Sequence, residues 1–295
     1  MSLSMWQTLR QWLGARQTAQ PQAAPLPPLP PPQRHELQQR LARLQPFAQP
    51  GAQPLATQAL VVFDLETTGL DRQRDSVLSI GAVRIQACGA QPGIALGHSF
   101  ARVLKVPVPI SPLGQLFHGL TQDDLRQGQD PRLALLELLE WGQDALWLAW
   151  HAWFDQAMLH RAAQQWLGEH APSSRTGKML LPLPGVCDLA QLLPALLGPC
   201  PACPAAVQPD DTPATMPAKR PSTTPTRRSD HDLDAWLQAL GLGHSARHDA
   251  VADAMATAEL TLIALAHAQA QGLQTWGQLA SLATQRERAQ QQPVF

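Results

Sequence analysis

Short apolar segments with β-branched residues predict strands in the first half of the chain. Residues 60–66 (LVVFDLE) and 76–85 (SVLSIGAVRI) flank a turn-like segment, and residues 97–104 suggest a third strand. The apolar run 145–150 (ALWLAW) fits a buried strand. Helical apolar spacing follows in several segments, at 35–44, 131–142, 154–167, 232–240 and 249–271. Mixed strands and helices of this kind predict an α/β domain.

Proline-rich stretches mark the edges of this domain. Residues 21–32 hold seven prolines in twelve positions and predict a semi-rigid polyproline spacer that cannot be a helix. Residues 198–230 hold eight prolines in 33 positions and predict a loosely ordered insert. We therefore expect an N-terminal region at 1–57, a domain at 58–272 interrupted by the insert, and a C-terminal helix or tail at 273–295.

Composition excludes several classes of protein. The 295 residues are 44% hydrophobic with a formal net charge of −1, which argues against wholesale disorder and against a protein that coats duplex DNA. Four scattered cysteines do not form a secreted disulfide framework. No uninterrupted apolar run reaches the roughly 18–20 residues of a membrane span, and the first residues lack a signal-peptide pattern. We expect a cytoplasmic protein with no membrane association.

Carboxylates at the end of the first strand are the strongest chemical feature. Asp64 and Glu66 are two residues apart, so a strand places both on one face. Two such carboxylates repel each other unless a cation is present, and a hard divalent ion with oxygen ligands, Mg²⁺ or Mn²⁺, suits them. The alternative is an exposed strand end with two solvated acids.

Two further acids and a histidine could complete such a site. Asp155 follows the predicted strand 145–150 at the start of a helix, where it could also simply complement the helix dipole. Asp253 lies one turn inside the predicted helix 249–271, and His248 precedes that helix. A histidine beside a metal-bound water is a plausible general base, although Asp249 could cap the helix and leave His248 as a surface residue.

Three ordered motifs resemble the DEDDh 3′–5′ exonucleases, typified by the proofreading epsilon subunit of bacterial DNA polymerase III. They are VVFDLETTGL at 61–70, AWHAWFDQAML at 149–159 and HDAVADA at 248–254. Two weaker matches lie between them, His118-Gly119-Leu120-Thr121 and the strand-to-helix step Cys187-Asp188-Leu189. The resemblance covers roughly 59–265 and implies a ribonuclease-H-like fold with a mixed central sheet flanked by helices.

The resemblance also implies an activity and assigns residues to it. It implies that Asp64, Glu66, Asp155 and Asp253 hold two divalent cations and that His248 activates the attacking water. It places Thr67, Thr68 and Leu70 against the 3′-terminal nucleotide, with Phe154 packing nearby and His118 approaching it. Phe154 could equally be a residue of the core. The expected substrate is a single-stranded or frayed 3′ end, DNA in preference to RNA, released as nucleoside 5′-monophosphates for proofreading or repair.

One departure from the family pattern leaves alternatives open. Trp150-His151 stands where the family usually has His-Asn, which could alter contacts beside the scissile phosphate. An exonuclease that trims RNA 3′ ends is one alternative, and a nucleic-acid-binding scaffold subunit with weakened catalysis is another. The sequence leaves the oligomeric state open.

Features outside the motifs are weaker. Cys200 and Cys203 have zinc-ligand spacing, but a structural site needs four ligands and no second pair is near. The apolar stripe at 1–16 and the C-terminal QQQPVF suggest docking of the tails on a replication or repair protein.

Overall fold

A computed structural model describes residues 24–88, 91–173, 180–202, 232–243 and 248–291. Within these ranges the chain forms a five-stranded sheet in the order β3-β2-β1-β4-β5. Strands β1 and β2 are antiparallel, as are β2 and β3, whereas β4 runs parallel to both β1 and β5. The strand bounds are Leu60–Thr67 (β1), Val77–Cys88 (β2), Gln91–Val103 (β3), Leu146–Ala149 (β4) and Val186–Asp188 (β5).

Helices cover both faces of this sheet. In chain order they are Pro31–Arg43 (α1), Pro112–His118 (α2), Gln122–Gln127 (α3), Pro131–Trp141 (α4), Ala152–Leu167 (α5), Leu189–Leu197 (α6), Leu233–Ala239 (α7), Ala250–Ala270 (α8) and Trp276–Gln291 (α9). The mixed sheet flanked by helices confirms the predicted α/β class.

Alternation along β1 divides the core into two layers. Val61, Phe63 and Leu65 face a layer that includes α1, α4 and α5. Leu60 and Val62 face a layer that includes α6, α7 and α8. Because side chains alternate across a strand, Asp64 and Glu66 continue the second of these faces toward α8.

Helix α8 is long and apolar enough to cross a membrane by length and composition alone. More than half of that apolar window is buried inside the protein, however, and its residues Ala254, Leu260 and Leu265 belong to the second core layer. A core helix is therefore the simpler account of its composition.

The structure corrects several predicted boundaries. Helix α1 begins at Pro31, so the prediction that 21–32 excludes a helix was wrong at its end, because proline is tolerated in the first turn of a helix. Strand β3 begins six residues before the predicted 97, since its first part pairs with the end of β2. The short helices α2 and α3 were not predicted. The stripe at 1–16, most of the 198–230 insert and residues 292–295 lie outside the described residues.

Candidate active site

The central strand β1 carries the first two acids past the end of its parallel neighbour. Strand β1 pairs with β4 only from Leu60 to Val62. Its antiparallel pairing with β2 continues further, with Asp64 opposite Gly81 and Glu66 opposite Ser79. Both side chains are half-buried. They therefore lie beyond the part of β1 that pairs with β4, where another segment of the chain can approach the strand.

The N-terminus of α8 lies over this strand end because Gly81 allows a close approach. A Cβ atom on Gly81 would lie 2.1 Å from the carbonyl carbon of Ala250 and 2.3 Å from the nitrogen of Val251. Only a residue without a side chain permits that contact. Since Gly81 pairs with Asp64, the contact places the first turn of α8 above the β1 carboxylates.

Three carboxylates come together as a result. Ligand oxygens of Asp64, Glu66 and Asp253 all lie within 4.8 Å of one another. Asp253, in the first turn of α8, is only 6% exposed. Three carboxylates this close repel one another unless a cation lies among them, and their all-oxygen donor set suits a hard divalent cation.

Asp155 reaches the same strand from the other side. It lies in the first turn of α5, is 5% exposed, and its Oδ1 accepts a hydrogen bond from the backbone N–H of Leu65 at 3.2 Å. Burial raises the pKa of the Asp155 carboxyl well above its usual range, and the charges of Glu66 and Asp188 raise it further. A bound cation would reverse this effect by stabilising the ionised form.

His248 immediately precedes the cap of α8 and is tied to Asp253. Its backbone adopts φ 63°, a left-handed conformation, and its N–H donates to Oδ2 of Asp253 at 3.2 Å. Its half-buried ring meets the ring of Phe117 edge-to-face, with the centroids 5.7 Å apart. Asp249 caps the helix by accepting from the backbone N–H groups of Val251 and Ala252. Asp249 therefore caps the helix as expected, while His248 is half-buried and is not a fully exposed surface residue.

The loop after β1 is held by a buried carboxylate. Asp75, 8% exposed, accepts from the Thr68 hydroxyl and from the Asp71 N–H, both at 2.7 Å. The Thr67 hydroxyl donates to the Gly69 carbonyl at 2.7 Å. Both threonine hydroxyls are therefore engaged within the loop, and Leu70 is partly exposed at its tip.

The remaining residues assigned to the nucleotide lie on α2 and α5. His118 ends α2 and is 9% exposed, and its Nδ1 accepts from the N–H of Leu120 at 3.1 Å. Burial lowers the pKa of His118. Phe154, in the first turn of α5, packs partly buried against the first core layer and contacts the ring of Trp153.

The departure in the second motif is accommodated by the backbone and the core. His151 adopts φ 57°, a left-handed conformation in which asparagine and histidine are enriched among residues other than glycine. Trp150 is buried in the second core layer and contacts the ring of His151. Both residues thus fit the turn that leads from β4 into α5, so Asp155 keeps its place.

Sequence reasoning missed two residues that shape the site and gave a third, Asp188, no role. Gly81 permits the approach of α8, Asp75 holds the loop, and Asp188, at the end of β5, adds negative charge near Asp155. A glycine inside a β-branched strand signals a close backbone approach, so Gly81 could have been found. Asp75 carries no comparable local signal, and Asp188 was named only as part of the strand-to-helix step at 187–189.

The pair with zinc-ligand spacing is only partly described. Cys200 is buried, while Cys203 lies outside the described residues. Burial, and next the charge of Asp188, raises the pKa of the Cys187 thiol to about 11.

Comparison with known proteins points to one family. Residues 61–198 match the family model RNase_T, described as an exonuclease. DNA polymerase III PolC-type from Thermotoga maritima is 34% identical over 99 residues, which are 34% of this chain and 7% of that protein.

A solved exonuclease structure shares the fold. Escherichia coli exonuclease I in complex with a dT13 oligonucleotide has a TM-score of 0.50 and 16% identity, covering 73% of this chain and 42% of that one. Exonuclease I from Methylocaldum szegediense has a TM-score of 0.46 and 19% identity, covering 70% of this chain and 40% of that one. This chain thus spans less than half of those exonucleases. Residues 61–198 thus resemble the exonucleases of the RNase_T family, and the fold and the motifs agree with that match.

Proposed function

We propose that this protein is a metal-dependent 3′–5′ exonuclease of the DEDDh type that releases nucleoside 5′-monophosphates from single-stranded or frayed DNA ends. The observation that carries the proposal is the convergence of Asp64, Glu66 and Asp253 within 4.8 Å, with Asp155 bonded to the strand between the first two. Three carboxylates from two chain segments thus lie together next to His248, and Asp155 bonds to the strand that carries two of them.

Each group then has a defined task. Asp64, Glu66, Asp155 and Asp253 would hold two Mg²⁺ or Mn²⁺ ions, which supply charge stabilisation for the attacking and leaving oxygens of the phosphoryl transfer when bound. His248, half-buried and anchored through its backbone to Asp253, accepts a proton from the attacking water. The water oxygen bonds to phosphorus and the bond from phosphorus to the upstream 3′ oxygen breaks. That oxygen takes a proton from solvent and becomes the new 3′ hydroxyl.

The terminal nucleotide is assigned to the surface beside the acids. Leu70 and Phe154 offer apolar surface to its base and sugar, and Thr67 and Thr68 set the backbone of the loop that approaches it. His118 lies at the end of α2, adjacent to Phe117, which contacts His248. Apolar contacts of this kind read no base identity, so a terminus of any sequence fits.

The test is digestion of a 5′-labelled single-stranded DNA oligomer in Mn²⁺, Mg²⁺ or EDTA. We expect a metal-dependent ladder that shortens from the 3′ end, is lost in Asp253→Ala and is slowed at least 100-fold in His248→Ala. Leu96→Ala, a change at an exposed site on β3, is the control and should match wild type. An RNA oligomer in parallel decides DNA preference. A protein that binds the DNA oligomer in Ca²⁺ but cleaves neither the DNA nor the RNA oligomer in Mn²⁺ would instead be a scaffold subunit.

Docking on a replication or repair protein through the tails stays part of the proposal. Pull-down of purified polymerase or repair assemblies by the full chain, compared with a chain that lacks residues 1–23, measures the contribution of the N-terminal segment.

A further inference from the structure

An exposed tryptophan lies in the first turn of the helix that carries Asp155. Trp153 is the second residue of α5, two positions before Asp155, and it is 50% exposed. By contrast, Trp147, Trp236 and Trp276 are among the largest fully buried side chains of the described residues. A large indole left half in water beside a functional site is unusual, because burying it would be strongly favourable.

A cation lies over this ring. The guanidinium carbon of Arg72 is 5.0 Å from the centroid of the Trp153 ring. Arg72 lies in the loop after β1, two residues beyond Leu70, and is itself exposed. A guanidinium occupies one face of an indole, and the exposure of Trp153 shows that much of the rest of its surface stays open.

The loop that carries Arg72 is fixed to the same helix. Arg161 of α5 donates to the Arg72 carbonyl at 3.2 Å and also to the Asp75 carbonyl. Other charged residues of the loop interact elsewhere. The Asp75 carboxylate is buried within the loop, and Arg74 lies 3.8 Å from Asp71. The Arg72 backbone is therefore held in place while its side chain extends into solvent over Trp153.

We propose that Trp153 and Arg72 form a subsite for a nucleotide upstream of the 3′-terminal one. Its base stacks on the open surface of Trp153 and its phosphate pairs with Arg72. The inference rests on the proposed function and extends it, because the terminal nucleotide is assigned to Leu70 and Phe154, and the Trp153 and Phe154 rings touch with centroids 5.9 Å apart. An aromatic ring beside a cation is the chemistry that binds single strands without reading their sequence.

The subsite predicts a dependence on substrate length. Stacking and phosphate pairing act only when an upstream nucleotide is present, so they contribute to an oligomer but not to a single nucleotide ester. Neither interaction contacts the 2′ position, so the subsite should serve DNA and RNA alike. A residue that merely clamps the loop would affect both kinds of substrate equally.

Steady-state kinetics on dT12 and on the p-nitrophenyl ester of thymidine 5′-monophosphate separate these cases. We expect Trp153→Ala to raise KM for dT12 about tenfold and to leave kcat/KM for the ester within twofold of wild type. Trp153→Phe, which keeps an aromatic face, should recover most of the dT12 affinity. Arg72→Ala should reduce the dependence of KM for dT12 on salt concentration, since one phosphate contact is lost. Leu96→Ala is the control for removing an exposed apolar side chain.

Equal loss on dT12 and on the ester in Trp153→Ala would overturn the subsite and make the residue a support for the loop. Wild-type protein that cleaves neither substrate would refute the proposed function instead. In that event, anisotropy of labelled dT12 in Ca²⁺ still decides: weaker binding in Trp153→Ala but not in Leu96→Ala supports the subsite, and unchanged binding refutes it.

Discussion

Replacing Gly81 with alanine should open the acid cluster without touching any of its ligands. The added Cβ would lie 2.1 Å from the carbonyl carbon of Ala250, whereas ordinary contact begins near 3.4 Å. The first turn of α8 must therefore retreat by about 1.3 Å, the difference between these distances. Asp253 lies in that turn and moves with it, away from Asp64 and Glu66.

The expected loss can be worked from that displacement. Misplacing a catalytic group by 1 Å lowers a rate about 100-fold, which is roughly 2.7 kcal/mol of barrier. Forcing an extra carbon into a close contact also destabilises a fold by about 1–3 kcal/mol. Gly81→Ala should therefore release nucleotides about 100-fold more slowly, bind Mn²⁺ more weakly, and unfold at lower urea concentration.

The chain offers a matched control. Gly97 is also a strand glycine, but a Cβ there would meet nothing within 4 Å. Gly97→Ala should leave Mn²⁺ binding and activity unchanged and stabilise the fold by at most about 1 kcal/mol through the unfolded state. The assays are calorimetric Mn²⁺ titration, nucleotide release and urea unfolding of each purified variant. A folded Gly81→Ala protein with wild-type Mn²⁺ affinity, and with a rate within threefold of wild type, would refute the reasoning.

Three further predictions follow from other parts of the structure. Mn²⁺ at 100 times its Kd should raise the free energy of unfolding by about 2.7 kcal/mol, which raises Tm by about 5–10 °C. Asp253→Asn should abolish this rise in Tm. An equal rise in that variant would show that the ion binds elsewhere. Asp75→Ala should lower the free energy of unfolding by about 2–3 kcal/mol, because it removes the hydrogen-bond acceptor for Thr68 and Asp71. As a control, Asp123→Ala at an exposed site should change that free energy by less than about 0.5 kcal/mol. Similar values for the two variants in urea titrations would contradict this account of the loop. Cys187 should resist alkylation by iodoacetamide at pH 8, and the alkylation rate should rise about tenfold per pH unit toward the pKa of about 11. Peptide mass spectrometry follows the labelling. Labelling at pH 8 as fast as in urea would contradict this prediction, because it would show that the thiol is accessible and ionised.

Periodicity along the chain predicts the local elements and the types of chemical group that they carry. Alternation over 60–66 placed Asp64 and Glu66 on one strand face, and the helical spacing over 249–271 placed Asp253 inside a first turn. These are short-range patterns, since strand and helix periods follow from backbone geometry. Boundaries were less accurate where proline could begin a helix, as at Pro31, or where pairing with a neighbour extended a strand, as in β3.

Whether these groups meet depends instead on contacts between elements that are distant in the chain. Asp155 reaches β1 through a backbone hydrogen bond to Leu65, and α8 reaches it because Gly81 leaves room for the carbonyl of Ala250. Trp153 and Arg72 are far apart in the chain, and their contact depends on the bonds from Arg161 to the loop. Contacts of this kind depend on the packing of distant elements, and a period along the chain does not encode the distance between two segments that only the folded core brings together.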